Sequence, residues 1–357
     1  MKAMPYPDEV KAILRDPVTL QPIDPADQIE QGFLALRAGG ISRKNEEEIA
    51  HFRRSFNSKL TAEEKAYSRK ITTLPQPGTT SESIILDIGC GPYDCISAIP
   101  GIHIFLDDIM DLYVDEIHAT LNGVRVCART ELMPLADDSI DLLYSVNMID
   151  HVDDMPATVA EMHRILKPGG RILMQTYFNS HPLLDTEPGV FDSYFAEQYV
   201  APLFGIEMFD TYAVGDPAIS TSYTMDIAAL SLTKRPDVQS PITDRTRYND
   251  PSYLGPQSRI SVALGLLKSG DIEQSLTHIE ALLEHQNYSV QHQLLSAFVD
   301  IEKRSFATAS RTLQALLSDD RVRRNSFARI AVQELHLRRM NVANQSLREQ
   351  LDVTQAQ

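Results

Sequence analysis

The apolar positions of this chain change their spacing twice, and each change marks a different class of element. Between Ile84 and Arg235, short apolar runs alternate with stretches of helical period. The runs Ile84–Ile88, His103–Leu106, Val124–Ala128, Ile140–Val146 and Arg171–Thr176 are bounded by Gly, Asp, Asn or Pro. Continuous apolar runs of that length are how strands buried on both faces read. Helices are expected between them over Tyr93–Ile99, Asp111–Leu121 and Pro156–Leu166. Asp153 or Asp154 offers the last of these an N-cap, Pro156 suits its first turn, and Lys167-Pro168-Gly169-Gly170 stops it. Asp192–Leu203 reads as a further helix, and Ile206–Val214 with Met225–Thr233 as an antiparallel pair at a sheet edge. The alternation predicts an α/β fold, a parallel sheet with helices on both faces.

Beyond Pro256 the period is helical and stays so. Asp271–Leu283, Ser305–Leu317 and Arg339–Leu351 align at a constant offset of 34 residues. Their columns agree at Ile272/Phe306/Met340, Ser275/Ala309/Ala343 and Ile279/Leu313/Leu347, and the preceding helices register at Ala263/Ala297/Ala331 and Leu267/Ile301/Leu335. Small residues where helices cross, flanked by large ones at this period, resemble tetratricopeptide repeats. The expectation is an all-α domain over 257–357 made of three helix pairs. It would dock a protein partner, associate with itself, or buttress the preceding domain. Residues 236–256, rich in Pro, Asp and Ser, read as a linker.

The first 80 residues form a separate cap region. Ile13–Ile23 followed by Gly32–Leu36 is faintly similar to the zinc ribbon that precedes some catalytic domains, but no Cys occurs before residue 90. A metal-free β-ribbon or an irregular cap remains. Two helices follow, opened by Asn45 with Glu48 and by Thr61 with Glu64, and Thr72–Ser83 reads as a linker.

Composition narrows the partners. The chain has 357 residues, 43% of them apolar, and a net charge of −16. Such acidity argues against a general nucleic-acid surface. The three cysteines, Cys90, Cys95 and Cys127, lack metal-ligand spacing and suggest a reducing compartment. No apolar run approaches the roughly 18 residues of a membrane span, and the N-terminus lacks a signal-peptide core, so a cytoplasmic protein is expected.

The chemistry gathers after the first strand of the α/β region. Asp87 lies at that strand's carboxyl end, and Gly89 and Gly91 permit a sharp turn and close approach to a ligand. Four blocks then follow in order: LDIGCGP (Leu86–Pro92), FLDDIMDLY (Phe105–Tyr113), ELMPLADDSIDLLYSVNMIDHV (Glu131–Val152) and EMHRILKPGGRILM (Glu161–Met174). Together they resemble class I S-adenosylmethionine-dependent methyltransferases, whose fold is Rossmann-like. The resemblance covers Ser83 to Arg235, within a catalytic domain read as 81–235.

That resemblance implies S-adenosyl-L-methionine as cofactor and a role for each matching residue. The turn Gly89-Cys90-Gly91-Pro92 would pass under the methionyl part, and Asp87 would hold its ammonium. Asp107 and Asp108 compete for the ribose hydroxyls, and the spacing of the following IMDLY favours Asp108. Thr130 and Glu131 fall at the adenine edge, and Asn147 and Met148 at the sulfonium. Cys90 is expected to pack rather than react. His151 is the candidate base, against a reading in which Asp150-His151 caps a turn. Tyr177, Asn179 and His181 follow the fifth strand on the same edge, as substrate-binding or base candidates or as polar loop. A nicotinamide dinucleotide site would want a third glycine where Asp94 stands, and a carboxylate there opposes a pyrophosphate. The sequence Asn147-Met148-Ile149 matches no DNA-methyltransferase motif. The acceptor is therefore expected to be a small molecule, sugar, lipid or protein. A catalytically inactive scaffold working through the helical domain is the competing reading.

Overall fold

In the computed structural model, the strands expected between Ile84 and Arg235 are all present. The structure describes residues 6–30, 32–36, 78–91, 94–110, 121–178, 189–215, 224–241, 244–250, 253–320 and 322–355. Nine strands form one sheet: β1 (Ile29–Glu30), β2 (Phe33–Ala35), β3 (Ile84–Ile88), β4 (Ile102–Asp107), β5 (Val124–Cys127), β6 (Ile140–Val146), β7 (Leu166–Tyr177), β8 (Phe204–Gly215) and β9 (Thr224–Lys234). Their order is β1-β2-β5-β4-β3-β6-β7-β9-β8. Strands β2 to β7 pair in parallel, while β9 runs antiparallel to both β7 and β8, which makes the expected edge pair. All five residues of β3 are buried, as a central strand requires. Chain order runs outward from β3 through β4 to β5, then restarts on the other side with β6. The sheet therefore has a switch point between β3 and β6.

Two compact units divide the chain, one of residues 1–178 and 196–255, the other of residues 179–195 and 256–357. In the first unit, β1 and β2 form a small antiparallel ribbon that extends the sheet through β2 and β5. Before it, helix α1 (Asp8–Ile13) leads into a segment strapped to the sheet: Ala136 N–H donates to Ile13 O and Arg15 N–H to Pro134 O. The two helices read from Asn45 and Thr61 lie outside the described residues, as does the body of the one read over Asp111–Leu121.

Several expectations need correction. The helix placed at Tyr93–Ile99 is absent from described residues 94–100, which form turns. There the Asp94 carboxylate accepts from Ile96 N–H (3.2 Å) and Ser97 N–H (2.8 Å), a local alternative to helical bonding. Among the described residues of the crossovers, the full helix is α2 (Met155–Ile165), between β6 and β7. The Lys167–Gly170 stop is assigned to β7, whose register shifts between Ile140 and Leu142 of β6. The helix at Asp192–Leu203 is α only over Ser193–Phe195 and widens to a π-turn over Ala196–Val200.

The supposed linker before Pro256 is tied into the first unit. Arg245 is buried; it donates to Pro17 O (2.7 Å), Met133 O (3.2 Å) and Glu161 Oε1 (2.6 Å). Arg164 meets the other side of Glu161 (2.8 Å) and also donates to Met133 O and Leu135 O. Glu161 and Arg164 of the fourth motif block therefore bind α2 to the segment before β6.

The second unit contains α3 (Pro256–Ser269), α4 (Ile272–Ala281), α5 (Ser289–Glu302), α6 (Phe306–Leu316) and α7 (Ser326–Gln355). Ala263, Ala297, Ala331, Ser275 and Ala309 are all fully buried. The third helix pair does not form. Residues 326–355 are one continuous helix, and Leu337, Met340 and Ala343 are exposed. Tyr194, from the segment between β7 and β8, belongs to the same buried cluster as Ile279, Leu294 and Leu313.

Candidate functional site

The carboxyl ends of β3, β4 and β6 meet at the switch point. Gly89 follows β3 with φ +63°, and a Cβ built there would lie 2.1 Å from Met148 Cγ. Only glycine suits both the left-handed backbone and the approach of the β6 loop. Gly91 is also left-handed, at φ +54°. Two contacts hold this turn: Gly89 N–H donates to Leu106 O (2.7 Å), and Gly91 N–H to Asp107 Oδ2 (2.8 Å). Asp107 Oδ1 accepts from Ile109 N–H (3.0 Å). Both oxygens of Asp107 thus serve the local backbone, while Asp108, the next residue, is half-buried.

Asp87 is 2% exposed, and among the described residues its Oδ2 has no hydrogen-bond partner. Burial, then the charges of Asp94 and Asp107, push its carboxyl well above the usual range. Such an oxygen asks for a cationic donor. Cys90 is buried in the apolar cluster with Ile85, Ile96 and Phe105, and burial raises its thiol far from a reactive thiolate. It packs, as expected. Cys95 is pushed up to about 12 by the same cause.

After β6, Asn147 takes a left-handed conformation (φ +50°), rare for a residue with a side chain. Its N–H donates to Gln175 O (2.8 Å), and its Oδ1 is buried without a partner among the described residues. Met148 is buried against Gly89. His151 N–H donates to Met148 O (2.9 Å), which closes a turn that carries the half-buried His151. The register Val146↔Gln175 brings the end of β7, with Tyr177, to the same edge as Asn147. His181, Asn179 and Pro92 lie outside the described residues.

Thr130 and Glu131 open a short 3-10 turn after β5 and are both buried. The Thr130 hydroxyl is 3.4 Å from that of Thr158. Glu131 Oε1 accepts from Asp153 N–H (2.7 Å) and Asp154 N–H (3.1 Å). The carboxylate expected at the adenine edge thus anchors the loop that runs from His151 into α2, where Asp154 is the N-cap. Burial, then Asp153, push Glu131 up to about 7. Tyr248 O–H donates to Asp154 Oδ2 (3.2 Å), and the backbone of Gly255 lies against Asp153 so closely that a Cβ would sit 2.6 Å from it. Sequence reasoning missed this bracing by 245–255. Its only trace was two Arg and two Tyr residues in a stretch otherwise of linker composition. It also missed Gln175, 1% exposed, whose Nε2 has no partner among the described residues.

Residues 86–174 match the family model described as "Methyltransferase domain". A malonyl-[acyl-carrier protein] O-methyltransferase of Gallionella capsiferriformans is 41% identical over 51 residues, 14% of this chain and 18% of that protein. The ubiquinone/menaquinone biosynthesis C-methyltransferase UbiE of Vibrio campbellii is 31% identical over 134 residues, 34% of this chain and 51% of that one. The chain therefore spans about half or less of these relatives' length. Among solved structures, a putative methyltransferase in complex with the Trm112 methyltransferase activator of Haloferax volcanii aligns with TM-score 0.43 and 15% identity. That alignment covers 53% of this chain and 98% of the other. No helix of the described residues is long and apolar enough to cross a membrane.

Proposed function

We propose that this chain is a methyltransferase that binds S-adenosyl-L-methionine at the carboxyl ends of β3, β4 and β6. It would transfer the methyl group to a small-molecule, sugar, lipid or protein acceptor. The observation that carries the reading is the buried Asp87 oxygen without a partner, directly before the left-handed Gly89 turn. A ligand with an ammonium and a sulfonium complements it, and a pyrophosphate would meet Asp87, Asp94 and Asp107 instead. The bound cofactor supplies an electrophilic methyl group.

The chain's own residues bind, orient and exclude water. Asp87 holds the ammonium, and the Gly89–Gly91 turn admits the methionyl part. Asp108 takes the ribose hydroxyls; the reading is supported by Asp107 having both oxygens on backbone N–H groups. Thr130 remains at the adenine edge, while Glu131 fixes the loop behind it. Met148 and Asn147 line the sulfonium side. Near-attack alignment of acceptor and methyl does most of the work. For a hydroxyl acceptor, His151 is the candidate base, with Tyr177 beside it at the next strand's end.

Calorimetric titration with S-adenosylhomocysteine tests the assignment. Wild type binds, and Asp108→Ala binds about tenfold or more weakly, as expected for lost hydrogen bonds to a charged group. No binding by wild type overturns the reading. Unchanged binding in Asp108→Ala passes the ribose role to Asp107.

The helical residues 257–357 are assigned partner docking or self-association, supported by the exposed Leu337 and Met340 on α7. Sedimentation of wild type against Leu337→Ser/Met340→Ser tests the self-association arm, with loss of dimer the supporting result.

A further inference from the structure

The helical unit separates its charges along the chain. The protein as a whole is acidic, at −16, yet residues 303–339 hold nine Lys and Arg against three Asp and Glu. Residues 271–302, just before them, hold six Asp and Glu and no Lys or Arg. The two stretches sit on different helices. The acidic one opens with α4, which packs on α3 and α5, and the basic one closes on α7, which packs on α5 and α6.

Three side chains are the most exposed large hydrophobics among the described residues: Leu283 (61%), Leu337 (55%) and Met340 (61%). Each stands among charges of one sign. Leu283 lies between Glu280 and Glu284, both exposed, and the exposed Glu273 precedes Glu280 by two turns on the same side of α4. Leu337 and Met340 are one turn apart on α7 and bracket Arg338 and Arg339, both exposed. The fold leaves the α7 patch open. Helix α4 turns back onto α3, and α6 onto α5, but α7 runs through the position of its own turn, so the segment that would have folded back continues in line. Repeat arrays need a polar outer face on the last repeat, and Leu337 and Met340 deny α7 that face.

We propose that the α7 patch of one copy is covered by the α4 patch of a second copy, in a two-fold dimer. Charge complementarity selects this occupant. Two chains of such acidity repel, so their contact belongs where opposite signs meet. Each copy carries both signs, each beside an exposed apolar anchor. A two-fold axis sets Glu280 and Glu284 against Arg339, and Leu283 against Leu337 and Met340, and does so twice. Pairing α7 with α7 would set arginine against arginine instead. The inference rests on the self-association reading of residues 257–357 and names the surface that reading lacks.

Sedimentation equilibrium on the full chain tests it, with thermal melting to show that each variant is folded. Arg338 is already engaged by Glu302 and Glu334, so the basic patch is probed at Arg339. Wild type should dimerise, and more weakly as salt rises from about 0.05 to about 0.5 M. Glu280→Lys and Arg339→Glu should each raise the dimer dissociation constant about tenfold or more, because each brings like charges together at both contacts. An equimolar mixture of the two variants should recover wild-type affinity as a heterodimer, since both contacts then pair opposite charges. Glu284→Lys replaces Glu280→Lys should the latter unfold. A folded Glu280→Lys that dimerises like wild type, a mixture no tighter than either variant alone, or a dissociation constant indifferent to salt overturns the α4–α7 contact. In those cases loss of the dimer in Leu337→Ser/Met340→Ser leaves the self-association reading standing. A wild type that stays monomeric at every concentration overturns that reading and the inference with it.

Discussion

Asp87 is held in the structure at a cost. Its carboxyl, raised by burial and by its acidic neighbours, is less stable ionised when folded than when unfolded. The stability it contributes is full below the ordinary carboxylate pKa and is lost as pH rises through the folded value. Asp87→Asn should therefore stabilise the ligand-free protein near neutral pH by about 1–3 kcal/mol while weakening S-adenosylhomocysteine binding. Denaturant melts and calorimetry on one sample would separate the two effects, and a variant that loses both would contradict it. Glu131 has the same sign. Its ordinary value is 4.5 and its folded value about 7, so its contribution is complete below pH 4.5 and lost as pH rises through 7. A carboxamide in place of the Glu131 carboxylate keeps an acceptor for Asp153 and Asp154 N–H without the charge. Glu131→Gln should flatten the stability profile between pH 5 and 8, and an unchanged slope in urea melts would refute it. Gly89→Ala should abolish ligand binding, since the methyl meets Met148 as well as the left-handed backbone.

At the scale of the element, buried ion pairs decide how the segments attach. Glu161 sits between Arg164 and Arg245 with its side chain 3% exposed. Glu161→Ala leaves two buried guanidinium groups, a loss of about 3–5 kcal/mol. Urea denaturation would measure it, and a loss below about 1 kcal/mol would show that water reaches the cluster. In the helical unit the turns tell why one repeat differs. Gly270 (φ +85°) and Arg304 (φ +58°) both adopt the left-handed conformation that ends a helix. The corresponding residue of the third repeat is Arg338. It bonds instead to Glu334 (2.7 Å), one turn back, and to Glu302 on α5 (2.8 Å), and the helix continues. Arg304→Gly should raise stability by about 1 kcal/mol, because glycine carries no Cβ penalty there. A fall in the melting midpoint would mean that the Arg304 side chain is needed for more than its turn.

For the whole molecule, the path of the chain matters more than the domain boundaries. It leaves the first unit after Phe178, contributes Tyr194 to the helical cluster, returns for β8 and β9, and leaves again at Pro256. A fragment of residues 256–357 therefore lacks part of its own core. Tyr194→Ala in the full chain should destabilise the helical unit by about 3–5 kcal/mol, the cost of truncating a buried aromatic. Differential scanning calorimetry would detect the shift, and an unmoved transition would show that the cluster closes without Tyr194.

What the sequence determined alone was the sheet and its glycine turn. Strands buried on both faces must be continuous apolar runs, and a left-handed turn packed against Met148 admits only glycine, so both leave marks that need no partner to read. That an Asp caps α2 was legible for similar local reasons, as was the packing of Cys90, while the structure chose Asp154 over Asp153. Only the tertiary structure decided the rest. Asp94 traded a helix for side-chain bonds to its own backbone, Glu131 turned to a loop distant in sequence, and Arg245 converted a stretch of linker composition into a brace. At Arg338 the helix runs on, and the side chain meets Glu302 of another element. For Glu131 and Arg245 the deciding bonds join residues that no period connects, and the energy of burying a charged group depends on what folding brings beside it.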